Sequence, residues 1–190
     1  MSWKKILELD RDWSYALRVA EKPGTRRILA MIFAHSGDSW FWGAAMLVLW
    51  LVANPFWKQW AVYELFWISA LAALVMALKF TIRRRRPEGE WGAIYRNTDP
   101  HSFPSGHAAR AFLIAALAGL LGPSPLAIVL WIWAPLVSLA RVAMGVHYVS
   151  DVLAGALVGI LVTVLVWPLS PQIFAIINTW LTGLLGLPLW

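Results

Sequence analysis

PLAIVLWIWAPLVSLARVAMG (residues 125–145), followed directly by VHYVSDVLAGALVGILVTVLVWP (146–168), decides the fold. Each block holds about the 20 mostly apolar residues that a helix needs to cross the hydrocarbon core of a bilayer. Arg141, His147 and Asp151 gather at the seam between them. Polar groups at membrane depth are costly, so their presence is by default a functional statement.

Working outward, further apolar stretches run over 38–55, 61–81 and 105–122, which with 125–145 and 148–168 makes five candidate spans. A sixth, 172–190, follows Pro171 and contains Gly183, Gly186 and Pro188, so it reads as a poorer or tilted span. Residues 25–36 are too short to cross and read as a partial helix before Ser36-Gly37-Asp38. Asn54-Pro55 and Gly122-Pro123-Ser124-Pro125 are tight turns. Only 14% of the 190 residues are charged and 60% are hydrophobic, against roughly 25% charged in a soluble domain; mean hydropathy is +0.64. The expected fold is an all-α integral membrane protein, one membrane domain over 1–190 built as a bundle of about five to six transmembrane helices.

The chain has no cysteine, which removes disulfides, thiolate nucleophiles and thiolate metal sites. Trp40, Trp42, Trp57, Trp60, Trp167 and Trp190 lie at the ends of apolar runs, where amphipathic rings anchor at the interface. The net charge of +6 flanks apolar spans and so points to lipid headgroups and topology, not nucleic acid. Over residues 1–24, Lys4, Arg11, Arg18 and Lys22 form one helical stripe. Trp3, Ile6, Trp13, Leu17 and Ala20 lie opposite it, as in an amphipathic helix lying on the membrane surface. Asp10 and Glu21 intrude on that apolar arc, and the charges of this segment leave no apolar core for a cleaved signal peptide.

Counting alternate crossings puts the end of the second span at Lys79, the start of the third at Ser105, the end of the fourth near Arg141 and the start of the fifth at His147 on one membrane face. That convergence predicts one site. The N-terminal segment falls on the same face, leaving Lys58 as the one Lys or Arg on the other. By the positive-inside rule the site is then cytoplasmic.

The polar clusters are suited to phosphate. Arg86 offers a bidentate fork and Lys79 a point charge, and Pro87 is expected to end the helical run. Arg83, Arg84 and Arg85 read as a basic anchor at the membrane edge. Pro104-Ser105-Gly106-His107 opens a helix, where unpaired N–H groups and the helix dipole favour an anion. Ser105 adds a hydroxyl, Gly106 permits close approach, and His107 is placed to protonate a leaving oxygen. His147 and Asp151, four apart, share a helical face. A carboxylate there fixes the imidazole tautomer and frees the other nitrogen to attack. Arg141 supplies a third cation. His35 reads as a surface or capping residue and His101 as part of the 88–103 loop. No His-x-x-His or Glu-x-x-His spacing occurs, so no metal site is expected.

Lys79-x6-Arg86-Pro87, Pro104-Ser105-Gly106-His107 and Arg141-x5-His147-x3-Asp151 together resemble the type 2 phosphatidic acid phosphatase superfamily, over a motif region of 79–160. RRRRP (83–87), SFPSGHAARA (102–111) and LELDRDW…SGDSWF (7–13, 36–41) resemble its polyisoprenoid phosphate and diphosphate phosphatase branch. The resemblance implies a hydrolase without cofactor or metal. His147 is then the nucleophile that becomes phosphohistidine, Asp151 its orienting base, and His107 the acid and later the base. Lys79, Arg86, Ser105, Gly106 and Arg141 hold the phosphate. Where the family usually has Ser before the third-motif Arg, this chain has Ala140, which implies one lost hydrogen bond. The expected partner is a lipid phosphate, an isoprenoid mono- or diphosphate first and phosphatidic acid or phosphatidylglycerol phosphate second. A non-catalytic lipid-phosphate binder or flippase is a reading from another class, and a vanadate-dependent haloperoxidase a third.

Overall fold

The computed structural model describes residues 2–89, 91 and 99–186. These residues form eight α-helices and no strand: α1 (Trp3–Ala16), α2 (Thr25–Ser36), α3 (Ser39–Val52), α4 (Pro55–Ile82), α5 (Gly106–Leu121), α6 (Ser124–Ala143), α7 (Val149–Val166) and α8 (Ser170–Leu185). Pro55–Ile82, Ser124–Ala143 and the continuous helical run Val149–Leu184 are long and apolar enough to cross a membrane; Ser39–Val52 and Gly106–Leu121 are shorter apolar helices. The chain is an all-helical integral membrane protein.

Local chemistry sets the helix ends. Asn54 caps α4 by accepting the Trp57 N–H, and Pro55 supplies the preset φ of a first turn. The far end of α4 stops at Ile82, ahead of Pro87, because Arg83 adopts a left-handed backbone (φ +53°) and its Nε donates to the Phe80 carbonyl. Ser105 caps α5 through the Ala108 N–H.

α5 is the buried centre. Ala108, Ala109, Ala111, Leu113, Ile114, Ala115, Leu117 and Ala118 are inaccessible on all sides, packed by α4, α6 and α7. The closest approach is to α7. A Cβ added at Gly155 would stand 2.4 Å from the Ser105 carbonyl oxygen, and one at Gly159 would stand 2.2 Å from that of Ala109. Two glycines four apart thus let the α7 backbone lie directly on α5, the close packing that small residues allow between membrane helices. The outward faces of α6 and α7 remain apolar, with Ile128, Ile132, Leu157 and Leu165 exposed for lipid.

Two expectations are corrected. The N-terminal helix ends at Ala16, well short of residue 24, because the Val19 N–H is drawn onto the Ala143 carbonyl at the end of α6. Asp10 and Ser14 on its protein-facing side are buried, whereas Ile6, Leu7 and Trp13 point outward, as in a helix lying on a membrane. The sixth apolar stretch is not a helix apart from the fifth. Pro171 sits in the first turn of α8, and α7 runs into α8 through one 3-10 turn, Trp167–Leu169. α8 docks on α4 by Phe174 stacking on Tyr63 at 4.2 Å and by the Tyr63 hydroxyl donating to Ser170 Oγ. Helix α2, at about 18 Å, is too short to cross, and packs Ala30 and Ala34 beside Ala140, Ala143 and Met144. Trp190 and the last residues of 172–190 lie outside the described residues.

Candidate active site

The turn between α6 and α7 carries the centre of the site. Gly145 holds φ +67°, and a Cβ there would lie 2.6 Å from Arg18 Nε, so glycine satisfies both the backbone and the packing. The turn delivers His147 and Asp151 fully into the protein, with His147 at 1% exposure and Asp151 at 0%. Arg86 Nη1 approaches His147 Nε2 at 3.3 Å. A guanidinium only donates, so Nε2 is the bare acceptor and Nδ1 carries the proton. Nδ1 stands 3.4 Å from Asp151 Oδ2, without the alignment of a made hydrogen bond. Burial, followed by the charges of Arg86, Arg141 and Lys79, holds His147 well below the ordinary histidine range, which keeps the ring neutral.

Asp151 is fixed at both oxygens. As the third residue of α7, its Oδ2 accepts the Tyr148 N–H at 2.9 Å, and its Oδ1 accepts Arg84 Nη1 at 2.7 Å. Its own carbonyl accepts the Ser105 N–H at 2.9 Å, which ties the start of α7 to the start of α5.

Lys79 and Arg86, from the end of α4 and the strand of chain beyond it, meet at one acceptor. Lys79 Nζ and Arg86 Nη2 both donate to Asp99 Oδ2, the Arg86 contact being 2.8 Å. Arg86 Nε further donates to the Asp99 carbonyl and Nη1 to the Val146 carbonyl. A carboxylate therefore sits where two cations converge, the position suited to an anionic ligand.

His107 lies on the other wall. Its Nε2 pairs with Asp38 Oδ1 at 2.8 Å, and Asp38 also meets His35 Nδ1 at 3.1 Å. Burial opposes ionisation of Asp38, but the bonds from His107 and His35 outweigh it and keep the carboxyl below its usual range. Arg110, one turn after His107, donates Nε and Nη2 to the Gly37 carbonyl and Nη1 to Ser39 Oγ, so α5 clamps the short link that carries Asp38. Lys79, Asp99, Gly106 and His107 line one cleft of about 160 Å³, whose other wall is apolar.

Lys79, Arg86, Ser105, Gly106, His107, Arg141, His147 and Asp151 thus come to one end of the bundle. Arg83 and Arg85 are exposed, as an anchor should be, but Arg84 turns inward to Asp151. Asp38, Asp99 and Arg110 received no role from the sequence; the signal for Asp38 and Arg110 was their place inside SGDSWF and SFPSGHAARA. Ala140 packs in the apolar cluster with Ala30 and Ala34. His35 is half exposed beside Asp38, and His101 sets its ring edge against Phe80.

The chain is similar to known proteins. The PAP2 superfamily model matches residues 60–175. The chain is 29% identical over 184 residues to "Probable lipid phosphate phosphatase beta" of Arabidopsis thaliana, covering 82% of this chain and 85% of that protein. It is 38% identical over 88 residues to decaprenylphosphoryl-5-phosphoribose phosphatase of Mycobacterium tuberculosis, covering 46% of this chain and 48% of that one. The crystal structure of a transmembrane PAP2 type phosphatidylglycerolphosphate phosphatase from Bacillus subtilis superposes with a TM-score of 0.67 at 26% identity, over 89% of this chain and 88% of that one. Matched by the family model over residues 60–175 and alike in fold over 89% of its length, the chain belongs to the PAP2 superfamily and is a membrane lipid phosphate phosphatase.

Proposed function

We propose that this phosphatase cleaves the terminal phosphate of a polyisoprenoid mono- or diphosphate in two metal-independent steps through a phosphohistidine on His147. One observation carries the mechanism: a neutral His147 whose bare Nε2 faces the Arg86 cation while the protonated Nδ1 faces Asp151. Nε2 attacks phosphorus, the bond to the lipid oxygen breaks, and His107 gives that oxygen its proton. Asp151 compensates the charge that appears on the His147 ring. In the second step His107 takes a proton from water, hydroxide displaces His147, and inorganic phosphate leaves. Lys79, Arg86, Arg141 and the amides at the start of α5 stabilise the developing charge. Three cations supply the compensation that a divalent metal would otherwise bring, so turnover is expected to survive chelation.

The cleft favours a single-chain lipid. From Lys79 and His107 it runs along one face of α4 past Met76, Val75, Ala72 and Leu71 to Ile68, about 16 Å of helix. A slot between two helices accepts one linear isoprenoid chain more readily than a diacylglycerol. The match to a phosphatase named for a decaprenyl substrate supports the same choice. The end-to-end likeness to a phosphatidylglycerolphosphate phosphatase favours a second reading, a glycerophospholipid phosphate. The basic N-terminal segment beside the site favours its cytoplasmic placement.

The test is phosphate release by the detergent-purified protein in EDTA. Farnesyl diphosphate, a polyprenyl monophosphate, phosphatidic acid and phosphatidylglycerol phosphate are compared, with His147→Ala alongside. Release that needs His147 and is fastest on the isoprenoids is expected. Undiminished release by His147→Ala sinks the nucleophile, and faster turnover of a diacyl lipid moves the substrate to the second reading.

A further inference from the structure

We infer that Asp10 on the N-terminal surface helix and Arg84 at the end of α4 are positioning residues for the Asp151–His147 pair, so that docking of α1 completes the catalytic centre. The inference rests on the phosphohistidine reading above.

The start of α7 presents N–H groups with no partner inside its own helix, and α1 supplies the acceptors. The Val149 N–H bonds Ser14 Oγ and the Ser150 N–H bonds Asp10 Oδ1, both at 2.9 Å. Ser14 in turn donates to the Asp10 carbonyl. This explains why α1 buries Asp10 and Ser14 and leaves its apolar residues outside. One guanidinium then bridges to the catalytic side. Arg84 Nη2 donates to Asp10 Oδ2 at 2.7 Å, while Nη1 donates to Ser150 Oγ at 2.6 Å and to Asp151 Oδ1 at 2.7 Å. The guanidinium carbon also lies 4.1 Å from the centre of the Tyr148 ring, which sets its plane.

Arg84 thus has two carboxylates, one on the surface helix and one on the reacting pair. With Asp10 neutralised, the guanidinium is no longer held from α1. With Arg84 removed, Asp151 keeps the Tyr148 amide and the Ser102 hydroxyl but loses the one charged partner at Oδ1, and the 3.4 Å approach to His147 Nδ1 is held less firmly. Neither Asp10 nor Arg84 lines the cleft with Lys79 and His107, so lipid binding is expected to be spared.

The experiment titrates orthovanadate, a phosphate analogue that takes a histidine nitrogen as its axial ligand, into the full-length detergent-solubilised protein and follows it by 51V NMR. Wild type, Asp10→Asn, Arg84→Gln, Arg84→Lys and the Asp10→Asn/Arg84→Gln double variant are compared, with His147→Ala as blank. kcat and KM on a polyprenyl monophosphate are measured in parallel. Expected are vanadate binding weakened by about 10- to 100-fold in Arg84→Gln and Asp10→Asn, the scale on which slight misplacement of reacting groups acts. Partial recovery in Arg84→Lys, and a double variant no worse than Arg84→Gln, are also expected, with kcat lowered and KM within about twofold. Wild-type vanadate affinity in the variants, or a loss that follows the folded fraction in a thermal melt without rescue by lysine, overturns the relay alone. A wild-type protein that takes no vanadate while His147 proves dispensable overturns the phosphohistidine reading and the relay together.

Discussion

Two histidine–aspartate pairs face the candidate site and are built in opposite ways. His147, in the turn before α7, and Asp151, in its first turn, are four residues apart, 1% and 0% exposed, and their facing atoms stop at 3.4 Å. His107 on α5 and Asp38 in the link before α3 are far apart in the chain, 18% and 17% exposed, and meet at 2.8 Å. The first imidazole lies among cations that keep it neutral. The second sits directly on a carboxylate held ionised, a partner able to stabilise a proton on that ring while it is passed to and from a reacting oxygen. On the proposed mechanism a nucleophile must present a bare nitrogen and a general acid must hold a proton. The different partners of the two rings suit the two roles; residue type alone does not distinguish them.

The largest test of that contrast removes each ring in turn. His147→Ala is expected to lower kcat by about 10,000-fold or more, as for other nucleophiles, on natural lipid and on p-nitrophenyl phosphate alike. His107→Ala is expected to cost about 100- to 10,000-fold on the lipid. On p-nitrophenyl phosphate, whose leaving group needs no proton, the deficit in the first step, read as a nitrophenolate burst, should nearly vanish. Steady-state turnover should stay slow, because the second step still lacks its base, so a phosphohistidine accumulates in a rapid-quench experiment. Equal first-step deficits on both substrates would erase the distinction between the pairs.

Asp38→Asn sharpens the same point at smaller scale. Losing one charge-assisted bond to His107, worth roughly 1.5–3 kcal/mol, predicts a drop in kcat of about 10- to 100-fold. That drop too should be confined to substrates with poor leaving groups. A stability loss with unchanged leaving-group dependence would make Asp38 a structural cap for α3 and nothing more.

The nucleophile's setting is tested by pH. On the proposed mechanism His147 must be neutral to attack, so protonation is expected to extinguish kcat/KM on the acid side. With its pKa held down, that limb lies below the ordinary value near 6.5. Lys79→Met removes one of the cations that disfavour the imidazolium, so the pKa rises and the limb moves to higher pH, by up to about one unit. A limb that stays in place would assign the neutrality of His147 to burial and the two arginines, with no share for Lys79.

How much of this the sequence disclosed follows from how local each contact is. Lys79, Ser105, His107, Arg141, His147 and Asp151 stand at the ends of apolar runs, and alternate crossings bring those ends together before any coordinate is known. His147–Asp151 reads from spacing because it is local, although His147 lies in the turn before α7 and does not share a helical face with Asp151 as expected. Asp38–His107 spans 69 residues and Asp10–Arg84 spans 74, and no periodicity encodes such pairs. Arg84 was lost in a run of four arginines. Only the left-handed turn at Arg83 separates its direction from that of its exposed neighbours. The helical wheel of α1 sorted charged from apolar residues and gave the apolar arc to the membrane, but it could not show that Asp10 and Ser14 turn into the protein. The amides at the start of α7 draw them there, since buried donors need acceptors. Gly155 and Gly159 were plain in the sequence, but their use, seating the Ser105 and Ala109 carbonyls, needed the partner helix in place.

The smallest expected effect concerns a third carboxylate, which sits only on the His147 side of the contrast. Asp99 accepts from Lys79 and Arg86, the donors a phosphate would need. Substrate must therefore displace it, and the carboxylate competes with the ligand. Asp99 is about a third exposed, so its ion pairs are screened and worth about 0.2–1 kcal/mol. Asp99→Asn is then expected to lower KM by about 1.5- to 5-fold and to strengthen inhibition by inorganic phosphate by the same factor, with kcat little changed. The phosphate arm isolates the charge effect, because free phosphate has no tail to rearrange the cleft. If KM and the phosphate inhibition constant both rise instead, Asp99 organises the cations for their ligand. The Lys79–Arg86 cradle would then depend on an internal carboxylate as the two histidines do.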